Sequence, residues 1–480
     1  MTLAAALEFI RNNKHLKNIR IDSRQIEPGD IFVALPGSVT DGRNYIAQAI
    51  ANGATAVMLA GEGDYTLSAN IPNIQISNLT EHLAVIASAF YADPSQDLQI
   101  IGITGTNGKT STSHYIAQFF TGQNISCGVM GTLGNGLYPQ LSSSLLTTSD
   151  CCSLQRQLSV LRAAKTSLVA MEVSSQGLDQ GRLNNTRIST AVFTNLSQDH
   201  LDYHQDMATY FAAKCRLFTE FKPQNFVVNI DDPYGQQILK LLNFPTNVIT
   251  YSIRDPRADV YLQQNHLRTP WGSGALTTNL FGNFNASNVL AAMACGALHG
   301  LSVESMLTMA PKLQAVVGRV QPVVTDVPNL PTVIVDYAHT PDALTKVLQT
   351  LQPYKRGKLF CIFGCGGDRD RSKRPLMLQA ALANSDVVVI TQDNPRTESP
   401  QQIMQDILAD TVTDKNITIE FDRATAIART IANAKDGDVV LIAGKGHEDY
   451  QIIGTDKLPF SDYAVAQQCL KNYINQELIA

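Results

Sequence analysis

The sequence predicts an α/β protein of about three domains built on mostly parallel sheets, and three observations carry that expectation. At 480 residues the chain is too long for one hydrophobic core, since domains average roughly 150 residues. Short β-branched runs alternate with helix-period segments along its length, the pattern of strands covered on both faces. The stretch "QDLQIIGITGTNGKTSTSHYIAQFF" reads as a strand, a glycine-rich turn and a helix, the arrangement that presents backbone N–H groups to phosphates.

Taken in order, "GDIFVAL" and "ATAVMLA" read as strands and "TEHLAVIASAFYAD" as a helix that stops before Pro94, because proline disfavours helical backbone before it. A boundary is expected there. The second region carries the strands "TSLVAMEV", "ISTAVFTNL", "NFVVNI" and "NVITYSI", and the helix "NASNVLAAMACGALHG" closes it. A third begins near "VVGRVQPV" and repeats the alternation with "TVIVDYA", "KLFCIFG", "DVVVITQD" and "DVVLIAG". Each of these last strands runs into a polar or glycine-rich stretch, and open α/β sheets gather ligands at the carboxyl ends of their strands. The expected domains are 1–94, 95–318 and 319–480.

Composition excludes several classes of function. A hydrophobic share of 44%, a charged share of 16% and a net charge of −5 describe an ordinary globular chain and argue against general nucleic-acid binding. The eight scattered cysteines form neither a CxxC pair nor a disulfide framework, which points to a reducing, cytoplasmic setting. "MTLAAALEFIRNNKH" makes a poor signal peptide because Glu8 interrupts its apolar run, and no apolar stretch is long enough to predict a membrane span.

The chemistry starts at "GTNGKTS". Lys109 can offset phosphate charge and the Thr110 hydroxyl can reach Mg²⁺, although Ile103 stands where a full GxxxxGK[ST] motif has its first glycine. A GTPase switch would need a guanine-reading NKxD, and "NLSQD" lacks the lysine. Glu172 ends a strand where a carboxylate could reach a nucleotide's metal. Asp199, His200, Asp202 and His204 cluster in "TNLSQDHLDYH", and Lys214 lies among apolar and aromatic residues in "YFAAKCRLF". Each alone also fits a plain structural role: a cap, a solvated histidine, a snorkelling lysine.

Together, "GTNGKTS", "MEVSSQGL", "NLSQDHLDYH", "YFAAKCRLF", "GNFNASN", "DYAHTPDAL", "GCGGDRDRSKRP", "DNPRTE" and "GKGHEDYQ" follow one another in an order that resembles the Mur ligases. Within that family the chain is most similar to the members that add diaminopimelate. The resemblance implies a UDP-muramoyl substrate-binding domain, a central P-loop ATPase domain and a C-terminal Rossmann-like domain that receives the amino acid. It implies an amide ligase that phosphorylates the D-glutamate carboxylate of UDP-N-acetylmuramoyl-L-alanyl-D-glutamate with ATP. The amine of meso-2,6-diaminopimelate then attacks the acyl phosphate. A monomer is expected. Other members of the superfamily, adding L-lysine, D-Ala-D-Ala or glutamate to folates, share the ATP chemistry.

By the same resemblance, ATP would be bound by Gly105, Thr106, Asn107, Gly108, Lys109, Thr110 and Ser111, with Asn285, Asn288, Arg319 and Asp336. Mg²⁺ would be held by Thr110, Glu172, His200 and a carbamylated Lys214. The nucleotide-sugar substrate would meet Ile21, Ser23, Ser38, Val39, Thr40, Thr147, Thr148, Ser174, Gln180 and Arg182. From the residues themselves, the Asn pair also suits a helix N-terminus and Asp336 a helix cap. The "SVT" loop and Leu146 depart from the pattern usual in the family.

Arg369, Arg371, Lys373 and Arg374 fall within "GGDRDRSKRP", and the resemblance assigns Arg369 to the amino acid. In "DNPR", the segment Asp393, Asn394, Pro395 and Arg396 follows a strand with Arg396 as its lone cation. A guanidinium can hold a carboxylate in a two-pronged hydrogen bond. Diaminopimelate carries a far-end carboxylate and amine, whereas lysine has only the amine. Arg396 therefore reads as the carboxylate's partner, with Gly444 and Glu448 in "GKGHED" receiving the amine.

Overall fold

The computed structural model describes residues 1–37, 40–61, 71–242, 247–324, 330–409 and 416–477. They divide into two compact units: 1–196 with 203–276 and 288–310, and 197–202 with 277–287 and 311–480.

The first unit contains two sheets. A four-stranded parallel sheet runs Ile19–Arg20, Ile31–Ala34, Ala56–Ala60 and Asn73–Ile76 in spatial order. Helices Leu3–Asn12 and Leu79–Phe90 cover one face, and Ala6, Leu79, Leu83 and Ile86 are buried in that core. The expected boundary at residue 94 falls between this sheet and the next, inside one compact unit. Helix Cys151–Ala163 bridges them: its Cys152 is buried in the N-terminal core, and Arg162 donates to the carbonyls of Tyr91 and Ala92 at 2.8 and 2.7 Å.

The second sheet has eleven strands. Its parallel part runs Val260–Gln263, Val248–Ser252, Asn225–Asn229, Thr190–Phe193, Gln99–Thr104, Leu168–Glu172 and Cys127–Gly131. Antiparallel strands extend both edges, Gly134–Leu137 with Gln140–Ser142 at one and His266–Thr269 with Gly272–Ala275 at the other. The chain leaves Gln99–Thr104 toward one edge and later returns to build the other side. The carboxyl end of that strand is therefore a topological switch point, where neighbouring loops part and leave a crevice. "GTNGKTS" sits there. Its helix, Lys109–Thr121, is buried from Thr110 to Phe120, so the loop is anchored in the core.

The second unit's sheet runs Gln321–Pro322, Thr332–Asp336, Val439–Ala443, Leu359–Phe363, Val387–Ile390 and Ile417–Ile419, parallel except for the first strand. Three adjacent strands deliver the loops beginning at Gly444, Gly364 and Thr391 to one edge. A hairpin, Tyr450–Ile453 with Asp456–Pro459, follows.

Beneath that edge lies a buried ion pair. Arg423 and Asp462 have 0% side-chain exposure and meet at 2.7 and 2.8 Å. Arg423 also donates to the carbonyls of Ala443 at 2.9 Å and Gln392 at 3.2 Å, tying together the ends of two loop-bearing strands. Removing one partner strands a buried charge, whereas removing both does not. Asp462→Ala is expected to cost about 3–5 kcal/mol in urea denaturation of this unit. Arg423→Met combined with Asp462→Leu should recover most of it; a double variant as unstable as the single one contradicts this account.

Candidate active site

The phosphate-type loop is shaped by two glycines that no other residue could replace. Gly105 (φ +149°) and Gly108 (φ +87°) have backbone angles that side chains rarely adopt. A Cβ on Gly105 would lie 1.9 Å from the Thr194 hydroxyl, and one on Gly108 would lie 2.4 Å from Asn288 Oδ1. Neighbouring strand ends hold the loop in place. Thr106 N–H donates to Asn195 O at 2.8 Å, Asn107 N–H to Asn195 Oδ1 at 3.0 Å, and Thr194 Oγ1 to Asn107 O at 2.6 Å. Lys109 Nζ turns back onto the carbonyls of Gly105 and Thr106 at 2.8 and 2.9 Å, which keeps the ammonium over the loop. Ser111 is buried two positions further along the helix.

Glu172 ends the adjacent strand and is completely buried. Its carboxylate accepts from Thr110 Oγ1 at 2.8 Å, Thr132 N–H at 2.8 Å and Thr132 Oγ1 at 3.2 Å. These donors are neutral, and a buried carboxylate held by neutral donors is an incomplete charge balance. Hard oxygen donors from one hydroxyl and one carboxylate fit Mg²⁺, which uses one or two carboxylates and takes its remaining ligands from phosphates and water. Among the described residues, no group of three or more His, Cys, Asp or Glu side chains could hold a metal unaided.

Lys214 is 1% exposed on helix Met207–Thr219, as its apolar surroundings predict. Its Nζ donates to Gly105 O at 3.0 Å and lies 4.5 Å from the centre of the Tyr210 ring. Asn288 sits beside the same loop, accepting from Thr112 Oγ1 at 3.4 Å.

Five of the ten residues expected at the nucleotide-sugar substrate form a connected set in this unit. Thr147 Oγ1 lies 3.0 Å from Thr132 Oγ1, and Thr148 Oγ1 bridges Glu172 O at 3.1 Å and Ser174 N–H at 2.9 Å. Arg182 donates to Thr148 O at 2.7 Å and to Gln180 Oε1 at 2.7 and 3.0 Å. Ser174 also caps the short helix that follows, accepting from Gly177 N–H at 3.0 Å. Ser23 is buried against Gln48, Ile21 and Thr40 are exposed, and Ser38 and Val39 lie outside the described residues. His204, singled out with its neighbours in the sequence, is buried with its ring 2.9 Å from Ser175 Oγ.

His200 and Asn285 belong to the second unit. His200 is 44% exposed beside Asp199, and Asn285 Nδ2 donates to Phe281 O at 3.0 Å on the first turn of its helix. Asp336 is not a helix cap. Thr340 caps helix Pro341–Leu351, while Asp336 accepts from Val320 and Ala338 N–H, each at 2.7 Å. Burial pushes the Asp336 carboxyl above the usual range, opposed by nearby Arg319. Arg319 stacks 4.6 Å from the Tyr337 ring, and its buried Nε has no hydrogen-bond partner among the described residues.

The cationic stretch after Leu359–Phe363 sorts into distinct roles. Arg374 is fully buried and pairs with Glu398 and Asp406 at 2.9 and 2.6 Å. Arg371 pairs with Asp406 at 2.8 Å, and Lys373 donates to His339 O at 3.1 Å. Arg369 is exposed and, among the described residues, pairs with no carboxylate. Arg396 shares that property. Its Nη1 donates to Gly367 O at 2.7 Å, leaving other guanidinium donors for a ligand. A Cβ on Gly366 would lie 2.9 Å from Arg396 Nη1 and 3.7 Å from Arg369 Cγ, so both arginines flank one glycine.

The turn in "DNPR" is an aiming device. Arg396 adopts φ +51°, unfavourable for a residue with a side chain. The hairpin enforces it: Arg396 N–H donates to Ile452 O at 3.1 Å and its carbonyl accepts from Gly454 N–H at 2.8 Å. Asp393, Asn394 and Glu448 lie beside it around Lys445, a residue that sequence reasoning missed. Lys445 has 0% side-chain exposure and lies 3.0 Å from Glu448 Oε2, 3.0 Å from Asn394 Oδ1 and 3.7 Å from Asp393 Oδ1. Its signal was available: a lysine between two glycines directly after an apolar strand. Thr132 was missed too, and only its position after a strand could have marked it.

Comparisons with known proteins match this architecture in three consecutive segments. "Mur ligase family, catalytic domain" matches residues 15–91, "Mur ligase middle domain" 103–296, and "Mur ligase, glutamate ligase domain" 318–446. A UDP-N-acetylmuramoyl-L-alanyl-D-glutamate–2,6-diaminopimelate ligase from Ectopseudomonas mendocina is 44% identical, with 98% of each chain covered. A solved structure of a ligase with that same name is 36% identical over 95% of each chain with a TM-score of 0.66. The MurF ligase of Thermotoga maritima, solved with ADP, shares the fold at 17% identity and a TM-score of 0.64, covering 96% of this chain and 98% of that one. With three sheets in this order, a glycine loop at the switch point of the second and full-length relatives, the chain belongs to the Mur ligase family.

Proposed function

We propose that this protein is the ATP-dependent ligase that joins meso-2,6-diaminopimelate to the D-glutamate of UDP-N-acetylmuramoyl-L-alanyl-D-glutamate, in cytoplasmic synthesis of the peptidoglycan precursor. Near-full-length similarity to a ligase of that name supports the reaction. The amino-acid choice rests on one observation: Arg396, without a carboxylate partner among the described residues, is held in a strained turn beside the Asp393–Asn394–Glu448 cluster. Arg369 and Arg396 together suit an amino acid with two carboxylates, and lysine has one. No helix among the described residues is long and apolar enough to cross a membrane.

The chemical difficulty is that a carboxylate must approach the γ-phosphate of ATP, and the two repel. Lys109 and the loop N–H groups would bind the phosphates, with Lys109 exchanging the Gly105 and Thr106 carbonyls for phosphate oxygens. Thr110 and Glu172 would hold Mg²⁺, joined on the family's pattern by His200 and carbamylated Lys214; the ion supplies positive charge between the two anions. Carbamylation deprotonates the Lys214 ammonium and adds CO₂ to the resulting amine, releasing two protons in all. The product keeps an N–H for the Gly105 carbonyl, so the observed hydrogen bond survives the change from cation to anion. Asn285, Asn288, Arg319 and Asp336 would complete the ATP site. Thr147, Thr148, Ser174, Gln180 and Arg182, with the first-domain residues Ile21, Ser23, Ser38, Val39 and Thr40, would hold the nucleotide-sugar. The attacking amine displaces phosphate from the acyl phosphate, giving the amide, ADP and phosphate.

Lys109→Ala removes a cation from the site of phosphoryl transfer and is expected to lower kcat on the order of 10²–10³-fold or more. Turnover within a few-fold of wild type would refute its phosphate role.

The reading as a whole is tested by kcat/KM for meso-diaminopimelate and L-lysine in wild type and Arg396→Ala. Wild type should strongly prefer diaminopimelate. The substitution should raise its KM by about 2–3 kcal/mol, a factor of roughly 30–150, and change the KM for ATP little. The preference should collapse through loss of the good substrate, because alanine offers lysine nothing new. Arg396→Lys should rescue poorly, since a point charge cannot replace the fork. A wild-type preference for lysine, or an unchanged ratio in Arg396→Ala, overturns the assignment.

A further inference from the structure

We propose that Lys445 is a positioning residue that sets the charge of the amine-receiving end of this pocket. The inference rests on the amino-acid reading above. Asp393 and Glu448 come from two different loops, and two carboxylates facing one ligand ammonium would carry one negative charge too many. Lys445 supplies the correction from below. It has no side-chain exposure and reaches Glu448 Oε2 at 3.0 Å and Asp393 Oδ1 at 3.7 Å. The cluster of two acids and one lysine carries a net charge of −1, which matches a single ammonium. Arg423, the other buried cation nearby, is matched at ion-pair distance by Asp462 and acts on Asp393 and Glu448 as a longer-range charge, whereas Lys445 lies within 3.7 Å of both.

Lys445 also fixes the shape of the pocket. Its ammonium donates to Asn394 Oδ1 at 3.0 Å, which also accepts from Ile452 N–H at 2.9 Å. With its oxygen so engaged, the Asn394 amide must turn its Nδ2 outward, and that group donates to Glu448 Oε2 at 2.9 Å. Glu448 Oε2 therefore receives two donors, which set the direction of its carboxylate. The "DNPR" turn and the "GKGHED" loop are locked through one ammonium. A lysine can do this because its three donors point in separate directions, whereas a planar guanidinium would not fit the same acceptors. A neutral residue here would leave a pocket of charge −2, with Asn394 Oδ1 held by Ile452 N–H and no longer tied to Glu448 through one ammonium.

The test is a charge-balance experiment with Lys445→Met, Glu448→Gln and the double variant, assayed at saturating ATP and nucleotide-sugar substrate. Activity of wild type with diaminopimelate checks the underlying reading first and independently. Lys445→Met should raise the KM for diaminopimelate at least tenfold while the KM for ATP stays within about twofold. Adding Glu448→Gln returns the cluster to −1, so the double variant should recover several-fold of that loss. An unchanged KM in Lys445→Met, or a double variant no better than the single one, overturns the proposal. If Lys445→Met is insoluble, the double variant decides: a soluble enzyme with a KM nearer wild type than Glu448→Gln supports the charge role. An insoluble double variant means that Lys445 serves the fold, and the proposal fails.

Discussion

A charge removed from water must meet an opposite charge or a full set of hydrogen bonds, or the fold loses several kcal/mol. The loops at the carboxyl ends of the two parallel sheets are organised by this constraint. In the second unit, Arg374 is closed by Glu398 and Asp406, Arg423 by Asp462, and Lys445 by Glu448 and Asp393. Among the cations with no ion-paired carboxylate among the described residues, Arg369 and Arg396 flank one glycine, Gly366. In the first unit, Glu172 is buried and held by neutral donors alone. On the proposed function, these remainders are the groups whose balance ligands would complete.

Topology explains why the remainders gather where they do. Parallel strands end in loops that share one edge, and the reversal of strand order beside Gln99–Thr104 opens a crevice at its end. The glycine loop, Glu172 and Thr148 come from that strand or its neighbourhood, so the backbone sets their spacing to within a rotamer. In the second unit, neighbouring strands deliver Gly366, Asp393 and Gly444 side by side. The Tyr450–Ile453 hairpin then enforces the unfavourable backbone of Arg396. Strain of this kind persists only where surrounding contacts over-determine it, and here they aim one guanidinium.

Much of this was legible in the sequence. The long β-branched strands, the phosphate-type loop and burial of Lys214 follow from local pattern, because a strand buried on both faces cannot hide its composition. The antiparallel strands Gly134–Leu137 and Gly272–Ala275 were not legible, since short glycine-rich strands carry no alternation to read. The fate of "GGDRDRSKRP" was also closed to sequence reasoning. Nothing local tells Arg374, paired 32 residues away with Asp406, from exposed Arg369. The plain alternative for Asp336, a helix cap, also fails for a non-local reason: Thr340 caps the helix, and Asp336 fastens Val320. Lys445 escaped because two of its three partners, Asp393 and Asn394, arrive from the "DNPR" loop, roughly fifty positions earlier in the chain.

The central claim is that Glu172 is a buried carboxylate whose balance is completed by a divalent cation carried in with the nucleotide. Calorimetric titration of ADP, with and without Mg²⁺, into wild type and Glu172→Gln tests it directly. The account predicts that Mg²⁺ tightens ADP binding to wild type by roughly tenfold or more, a coupling of at least ~1.4 kcal/mol, and that the glutamine variant loses most of this coupling while binding metal-free ADP about as well. Equal Mg²⁺ coupling in both proteins would contradict it.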